Sequence, residues 1–519
     1  MKRALLLATI ALALCAAACS GGASITPPPP PMGNFSNSSL KGQYAFAMSG
    51  VDLNGGFIAR VGSFTADGSG NITSAIEDVV DPASGAPPSI VTFNPGTYSI
   101  LANGRGTITL TTATGGLGLS IALNSSTQGL MVQTDGNATS SGSFMLQSPS
   151  AFSLTSFNGN YVFDVSGVDI RSGGAPLSIV GEVNLNGAGG SGGGTLDENN
   201  GQFGLFPAQS VPSSSNAYQL DANNSAFGRG ELTFSGRTFV FYIVDSTRIR
   251  MMEEDQQGAT IGDAVLQTGT IPIQNSGFTG SYAFLIGGSF SASNVMGPLT
   301  RGGRFTADGS GGLSAVFADQ DFNGGPVSLS PTTVTSASYS LDTTVAGTGR
   351  GTIALTDSKQ GQWNFTFYLI SPSQAVIQDQ SIGTVGDGTM LAQTGGPFTN
   401  SSVAGPYAFS WSGVNLSAGF EEDFVGQYAL ASSSSNNVSG GMDFTELVSS
   451  KQAVFLNVAL NGTQTINGDG TQRNTFTVTS GTSPSSTYNF KLYIVNANTV
   501  FFVGADTVRV DAGIASQQH

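Results

Sequence analysis

Gly42-Gln43-Tyr44-Ala45-Phe46 decides how the rest of the chain is read, because it returns as Gly159-Asn160-Tyr161-Val162-Phe163, Gly280-Ser281-Tyr282-Ala283-Phe284 and Gly405-Pro406-Tyr407-Ala408-Phe409. In each copy a large aromatic residue alternates with a smaller or polar one, the period of a strand with one buried face. The copies stand about 120 residues apart, a common size for a domain with its own core and too long for a solenoid period. The expectation is a string of four units, at 39–150, 156–270, 276–396 and 402–519.

Other features recur in the same order. Phe64-Thr65-Ala66-Asp67-Gly68-Ser69-Gly70 comes back as Phe305-Thr306-Ala307-Asp308-Gly309-Ser310-Gly311, and Asp-Gly between alternating segments predicts a two-residue hairpin turn. Gly104-Arg105-Gly106, Gly228-Arg229-Gly230 and Gly349-Arg350-Gly351 each open an alternating run, with only a trace near Arg473 in the fourth unit. Apolar runs such as Phe239-Val240-Phe241-Tyr242-Ile243-Val244 follow, and then strands ending near Asp135, Asp255, Asp379 and Asp506. No ten-residue run carries the helical period. The expected fold is all-β: four tandem antiparallel domains of about eight strands, each an up-and-down barrel, with a β-sandwich as the alternative. The opening strand resembles the Gly-x-Trp strand of lipocalin-type (calycin) barrels, with Tyr in place of Trp. In such a barrel Tyr44/Phe46, Tyr161/Phe163, Tyr282/Phe284 and Tyr407/Phe409 line either a filled core, which is the expectation, or a cavity for one small apolar ligand.

Composition removes most chemistry. The only histidine of 519 residues is His519, and the two cysteines are Cys15 and Cys19, which excludes nucleophilic triads and Cys/His zinc sites in the body of the chain. A formal charge of −15 without a Lys/Arg cluster argues against nucleic acid as a partner. Asp67-Gly68-Ser69-Gly70 lacks the series of acids that a calcium loop needs. Glycoside hydrolysis needs only two carboxyls, and Glu77/Asp78/Asp81, Glu253/Glu254/Asp255 and Glu421/Glu422/Asp423 offer them. These clusters differ in position between units, as loop decoration does. The expectation is therefore no enzyme, no cofactor and no metal. Arg105, Arg229 and Arg350 are read as exposed residues that pair with Asp135, Asp255 or Asp379 of their own unit, or as an anion site with the flanking backbone N–H groups. The Gly/Ser/Asn-rich stretches 186–201 and 432–441 are read as variable binding loops.

The N-terminus gives an address. Met1-Lys2-Arg3 and the apolar run Ala4 to Leu14 read as a secretory leader, too short to span a bilayer. Ala16-Ala17-Ala18-Cys19 resembles the lipobox of bacterial lipoproteins, which implies removal of 1–18 and lipidation of Cys19. The segment 19–38, with five consecutive prolines at 27–31, is a stiff tether. Sorting rules implied by that resemblance place a chain with Ser20 after the cysteine at the outer membrane, on its periplasmic or cell-surface face. Lipobox, tether and tandem β-repeats together resemble uncharacterised bacterial surface lipoproteins. The function expected is that of a lipid-anchored, non-enzymatic envelope protein that binds or adheres through loops. The partners expected are the membrane, through the anchor, and an envelope protein, a glycan or a small apolar ligand. A small-ligand carrier and a glycan-active hydrolase are the alternatives. A membrane-spanning barrel is disfavoured because the segments read as shorter than the 9–11 residues such strands need.

Overall fold

Alternation along Tyr44, Phe46 and Met48 buries one face of the opening strand inside a barrel, and the rest of the unit closes around it. The computed structural model describes residues 33–519 except 114, 293–294, 323–324, 345–346, 431–435, 468–473 and 482–485. The stretch read as a leader, Cys19, most of the stretch read as a tether and Arg473 lie outside the described residues.

Barrel 1 runs β1 (Lys41–Asp52), β2 (Phe57–Asp67), β3 (Asn71–Val80), β4 (Ser89–Ile100), β5 (Arg105–Thr111), β6 (Gly116–Ser125), β7 (Gln128–Gln133) and β8 (Ala138–Leu146), closed in sequence order. Barrel 4, from Pro406–Asn415 to Arg509–Gln517, closes in the same way. Units 2 and 3 form nine-stranded sheets of the same order, because the strand equivalent to β4 breaks in two. Its pieces are Gly204–Val211 and Tyr218–Leu220 in unit 2, and Val327–Leu329 and Val334–Leu341 in unit 3. In barrel 1 the same strand stays whole but shifts register between Asn94 and Thr97. The all-β expectation holds, and the only helices among the described residues are short 3-10 turns.

Three local readings change. The Asp67 turn has three residues between strands, Gly68-Ser69-Gly70, and Asp67 Oδ1 accepts from the Ser69 and Asn71 amides at 2.6 and 3.0 Å. Two glycines at positive φ, Gly68 at 84° and Gly70 at 111°, make that wider loop possible. The supposed loop 186–201 is mostly strand Ser191–Asn200, and 437–441 likewise opens strand Asn437–Val448. Small residues are tolerated there because neighbouring strands and barrels cover them. Strands also reach 12 to 15 residues, longer than read from sequence, so length alone does not separate them from membrane strands.

A glycine on the second strand completes each core. A Cβ on Gly62, Gly181, Gly303 or Gly426 would meet the ring of the motif phenylalanine (Phe46, Phe163, Phe284 or Phe409) at 2.6 to 2.8 Å. The aromatic residue of the first strand therefore lies over a bare backbone on the second.

The units do not hang as beads. Each barrel turns its β2–β3 side to the β6–β8 side of the next, barrel 1 to 2, 2 to 3 and 3 to 4, and barrel 4 returns to barrel 1. Four apolar seams result. Val61 and Ile76 meet Val240 and Tyr242, Val180 meets Tyr368, Ala283 meets Tyr493 and Val503, and Val425 meets Ala122 and Val132. Runs such as Phe239–Val244 are apolar on both faces for this reason, one face for the core and one for the neighbour.

A glutamine after the eighth strand clasps each seam. Gln147 Nε2 donates to the Phe227 and Ile243 carbonyls of barrel 2, Gln267 to Thr348 and Leu369 of barrel 3, Gln393 to Ile494 of barrel 4, and Gln518 to Asn103 and Leu123 of barrel 1. The next amide repeats the contact, and His519 N bonds Asn124 O at 2.9 Å.

Replacing Gly62 by Val is expected to destabilise the protein by roughly 1–3 kcal/mol through overpacking against Phe46. Gly115→Ala, where nothing lies within 4 Å of an added Cβ, is expected to be near neutral. Urea unfolding of both variants checks the difference.

Candidate functional site

The motif aromatics are core residues. Tyr44, Tyr161 and Tyr407 are wholly buried, and Tyr282 and the four phenylalanines are at most 3% exposed. Each tyrosine hydroxyl donates to a carbonyl in the β6–β7 turn of its own barrel: Ser126 and Ser246 at 2.7 Å, Pro372 at 2.8 Å, and Ala497. Burial pushes the Tyr44 and Tyr282 hydroxyls up to about 12, so they stay protonated donors. A tyrosine in this place pins the turn that closes the base of the barrel, the end at which the chain enters.

The opposite end, the rim, is closed from inside by arginine–carboxylate pairs that the sequence reading did not find. Arg60 binds Glu77 at 2.6 Å, Arg237 binds Glu253 at 2.6 Å and Glu198 at 3.1 Å, and Arg509 binds Glu422 at 2.9 Å. In unit 3 Arg301 binds Asp379 and lies 4.3 Å from the centre of the Trp363 ring. Arg60 and Arg301 hold the same place on the second strand, four residues before Phe64 and Phe305, but Arg237 and Arg509 come from the sixth and eighth strands of their units, and the carboxylate partners change strand as well. With aromatics below and these pairs above, the interior of each barrel is occupied by side chains.

The Gly-Arg-Gly arginines are neither exposed nor paired as expected. They are 4–7% exposed, and each points out of its barrel into a neighbour. Arg229 of barrel 2 makes a two-pronged contact with Asp78 of barrel 1, both bonds at 2.9 Å, and Tyr242 adds a third at 2.7 Å. Arg350 of barrel 3 does the same to Asp197 of barrel 2 at 2.7 and 2.8 Å, with Tyr368 at 2.6 Å. Arg105 of barrel 1 meets Asp443 of barrel 4 at 2.5 Å, and Tyr493 of barrel 4 donates to Asp319 of barrel 3. Burial opposes the charge on Arg229, but Asp78 more than offsets it and holds the guanidinium above its ordinary range.

Asp135, Asp255 and Asp379 serve other partners. Asp135 accepts from Gln133 and from the Gly118 and Asn137 amides, Asp255 from the Thr238 and Gln257 amides, and Asp379 binds Arg301 and the Ser381 amide. The expected pairing fails because outward residues at a strand start face the adjacent barrel, while these acids cap turns or point inward. The acidic clusters divide likewise: Glu77, Glu253 and Glu422 point inward, whereas Asp78 belongs to a seam.

What remains open is the rim. Nine of the eleven large apolar side chains exposed among the described residues lie at this end, with only Leu101 and Ile273 elsewhere. Ile90, Leu205, Phe206, Val454 and Leu456 sit on strands equivalent to β4, and Ile382 is fully exposed on a turn of barrel 3. Leu205 and Ile382, with Phe290 and Val385, line a groove of about 310 Å³ between barrels 2 and 3. Strand Gly204–Val211 ends its sheet beside that groove. Arg171 lies 5.7 Å from the centre of the neighbouring Phe203 ring while paired to Asp169 at 2.7 Å.

No protein-family model matches the chain, and no curated protein matches it. Among solved structures, intact Ap-TbpB with its N and C lobes is 9% identical, covers 77% of this chain and 86% of its own, and has a TM-score of 0.16. A Trp-to-Ala mutant of transferrin binding protein B from Haemophilus parasuis Hp5 is 10% identical over 76% of this chain and 84% of its own, with a TM-score of 0.17. A protein of unknown function from the DUF3598 family of Nostoc punctiforme PCC 73102 is 10% identical over 47% of this chain and 98% of its own, with a TM-score of 0.14. Likeness at this level assigns no residue role and no partner.

Removal of a seam carboxylate strands the donors gathered on it. Asp197→Ala is expected to cost about 3 kcal/mol, because Tyr368 and the Arg350 N–H groups that faced Asp197 lose their buried acceptor, while Asp342 at 3.1 Å still holds the guanidinium. The surface control Asp245→Asn is expected to stay within about 0.5 kcal/mol. Thermal and urea denaturation measure both.

Proposed function

We propose that the protein is a lipid-anchored envelope protein without catalytic activity, whose four-barrel ring holds a binding rim away from the membrane. The observation that carries this reading is the polarity of the ring. The chain enters barrel 1 at Lys41, on the base, and the expected anchor attaches on that side. The apolar side chains that remain exposed gather at the other end, and clustered apolar exposure on a folded protein marks an interaction surface.

A polypeptide partner suits this rim. Strand Gly204–Val211 offers the open edge of a sheet, where an added strand gains main-chain hydrogen bonds, and the groove beside it takes an apolar side chain. Four rims facing one way add weak contacts into stronger binding. A carrier reading rests on the same groove, whose volume lies at the lower end for small-molecule sites.

Photo-crosslinking tests the reading in cells. A benzophenone side chain at position 206 or 456 is expected to give discrete protein adducts, and one at Ile273 on the base is expected to give none. Equal labelling from both ends, or none from the rim, would contradict it. Phe206→Asp is expected to lower the adducts formed from position 456 at least tenfold while leaving the melting temperature unchanged.

A further inference from the structure

Three seams of the ring contain buried carboxyls that face the neighbouring barrel without a cation. Asp321 of barrel 3 is fully buried, and neither of its oxygens has a hydrogen-bond partner of normal geometry, the Phe322 amide lying alongside. It is seated against barrel 4, where a Cβ on Gly504 would meet Asp321 Oδ2 at 2.5 Å. The charged groups facing it there are Asp506 and Asp511, while Arg509 is committed to Glu422 and packs on the Tyr488 ring. Across the ring, Asp387 of barrel 3 faces the Ser166 and Ser178 hydroxyls of barrel 2. Asp164 lies near it, and among the described residues the cation that bears on Asp164 is Arg248, already bound to Asp263 at 2.7 Å. Arg250 on the same strand turns to Ser143 of barrel 1. Asp423 of barrel 4 is fully buried and faces Ser141 of barrel 1, with Glu421 and Glu422 on its own strand.

We propose that the ring is acid-locked: its seams are tight while Asp321, Asp387 and Asp423 carry protons, and they loosen when these carboxyls ionise. A charge created there has no counter-ion among the described residues, and at the fully buried Asp321 and Asp423 it has little water, so ionisation favours separation of the barrels. Solvent reaches the seams along the ring axis, where all four barrels line a cavity of about 450 Å³ that includes Ser141, Asp387 and Glu421. Burial pushes Asp321 up to about 8, and Asp387 and Asp423 up to about 7. The sign follows from linkage. A carboxyl whose pKa is higher in the folded protein stabilises it fully at pH 4 and below, and that contribution disappears as pH rises through 7 to 8.

The melting temperature of the whole protein is therefore expected to fall by about 10 °C or more between pH 5 and pH 9. The combined variant Asp321→Asn, Asp387→Asn, Asp423→Asn keeps the protonated shape at every pH and is expected to lose at least half of that fall. A flat profile in the unaltered protein, or an equal fall in the variant, overturns the proposal. A second measurement needs no variant: unfolding the unaltered protein in urea at pH 7 in weak buffer is expected to release at least one proton per molecule. Uptake of protons, or no change, overturns it as well.

Discussion

A guanidinium that points outward from a β-barrel must find either water or a counter-charge, and the architecture of this protein follows from its finding the latter on a neighbour. Arg229 and Arg350 each grip an aspartate of the preceding barrel with two bonds, and a tyrosine hydroxyl donates a third to the same carboxylate. Such a pair tolerates little displacement, since truncating one partner leaves the other charged and dry. The seams are thereby fixed in register, and apolar contact around them supplies area while the ion pair supplies orientation. An aspartate recurs at one position of the third strand, and each copy accepts from the adjoining barrel: Asp78 and Asp197 from an arginine and a tyrosine, Asp443 from Arg105, and Asp319 from Tyr493.

Much of the fold was legible in the chain. The Gly-x-Tyr-x-Phe copies located four units, alternation gave their strands, and the absence of a helical period excluded other classes. The ring was not read, although its signals were present. Phe239 to Val244 is too apolar for a strand with one wet face, and a glutamine stands just after the last strand of every unit at 147, 267, 393 and 518. Each has an ordinary local explanation, and only the closed arrangement shows that they act together.

The candidate site was less legible, for a physical reason. Arg105, Arg229 and Arg350 were singled out correctly by recurrence, but periodicity tells which face a residue occupies and not what covers that face. Asp135, Asp255 and Asp379 were near in sequence and therefore plausible partners, whereas the true acceptors lie as far as 338 residues away. The rim pairs were missed because the partner changes from barrel to barrel: Arg60 and Arg301 share one place on the second strand, yet the first binds Glu77 on the third strand and the other Asp379 on the seventh. The exposed apolar residues Leu205, Phe206 and Leu456 sit in alternating runs that read as ordinary strands, and only the ring shows them facing the same way.

Closure of the ring also bears on how the molecule carries a load. In a chain of separate beads held at one end, tension passes through every linker in turn and the weakest one sets the limit. Here a pull applied at barrel 1 divides between its seam with barrel 2 and its seam with barrel 4, so the two share the force in parallel. Rupture of either leaves a connected arc in which the remaining three seams still hold, and the broken edge stays close enough to its mate to heal. Every barrel shares this arrangement, since each holds two seams, so a load applied at any one of them never depends on a single contact.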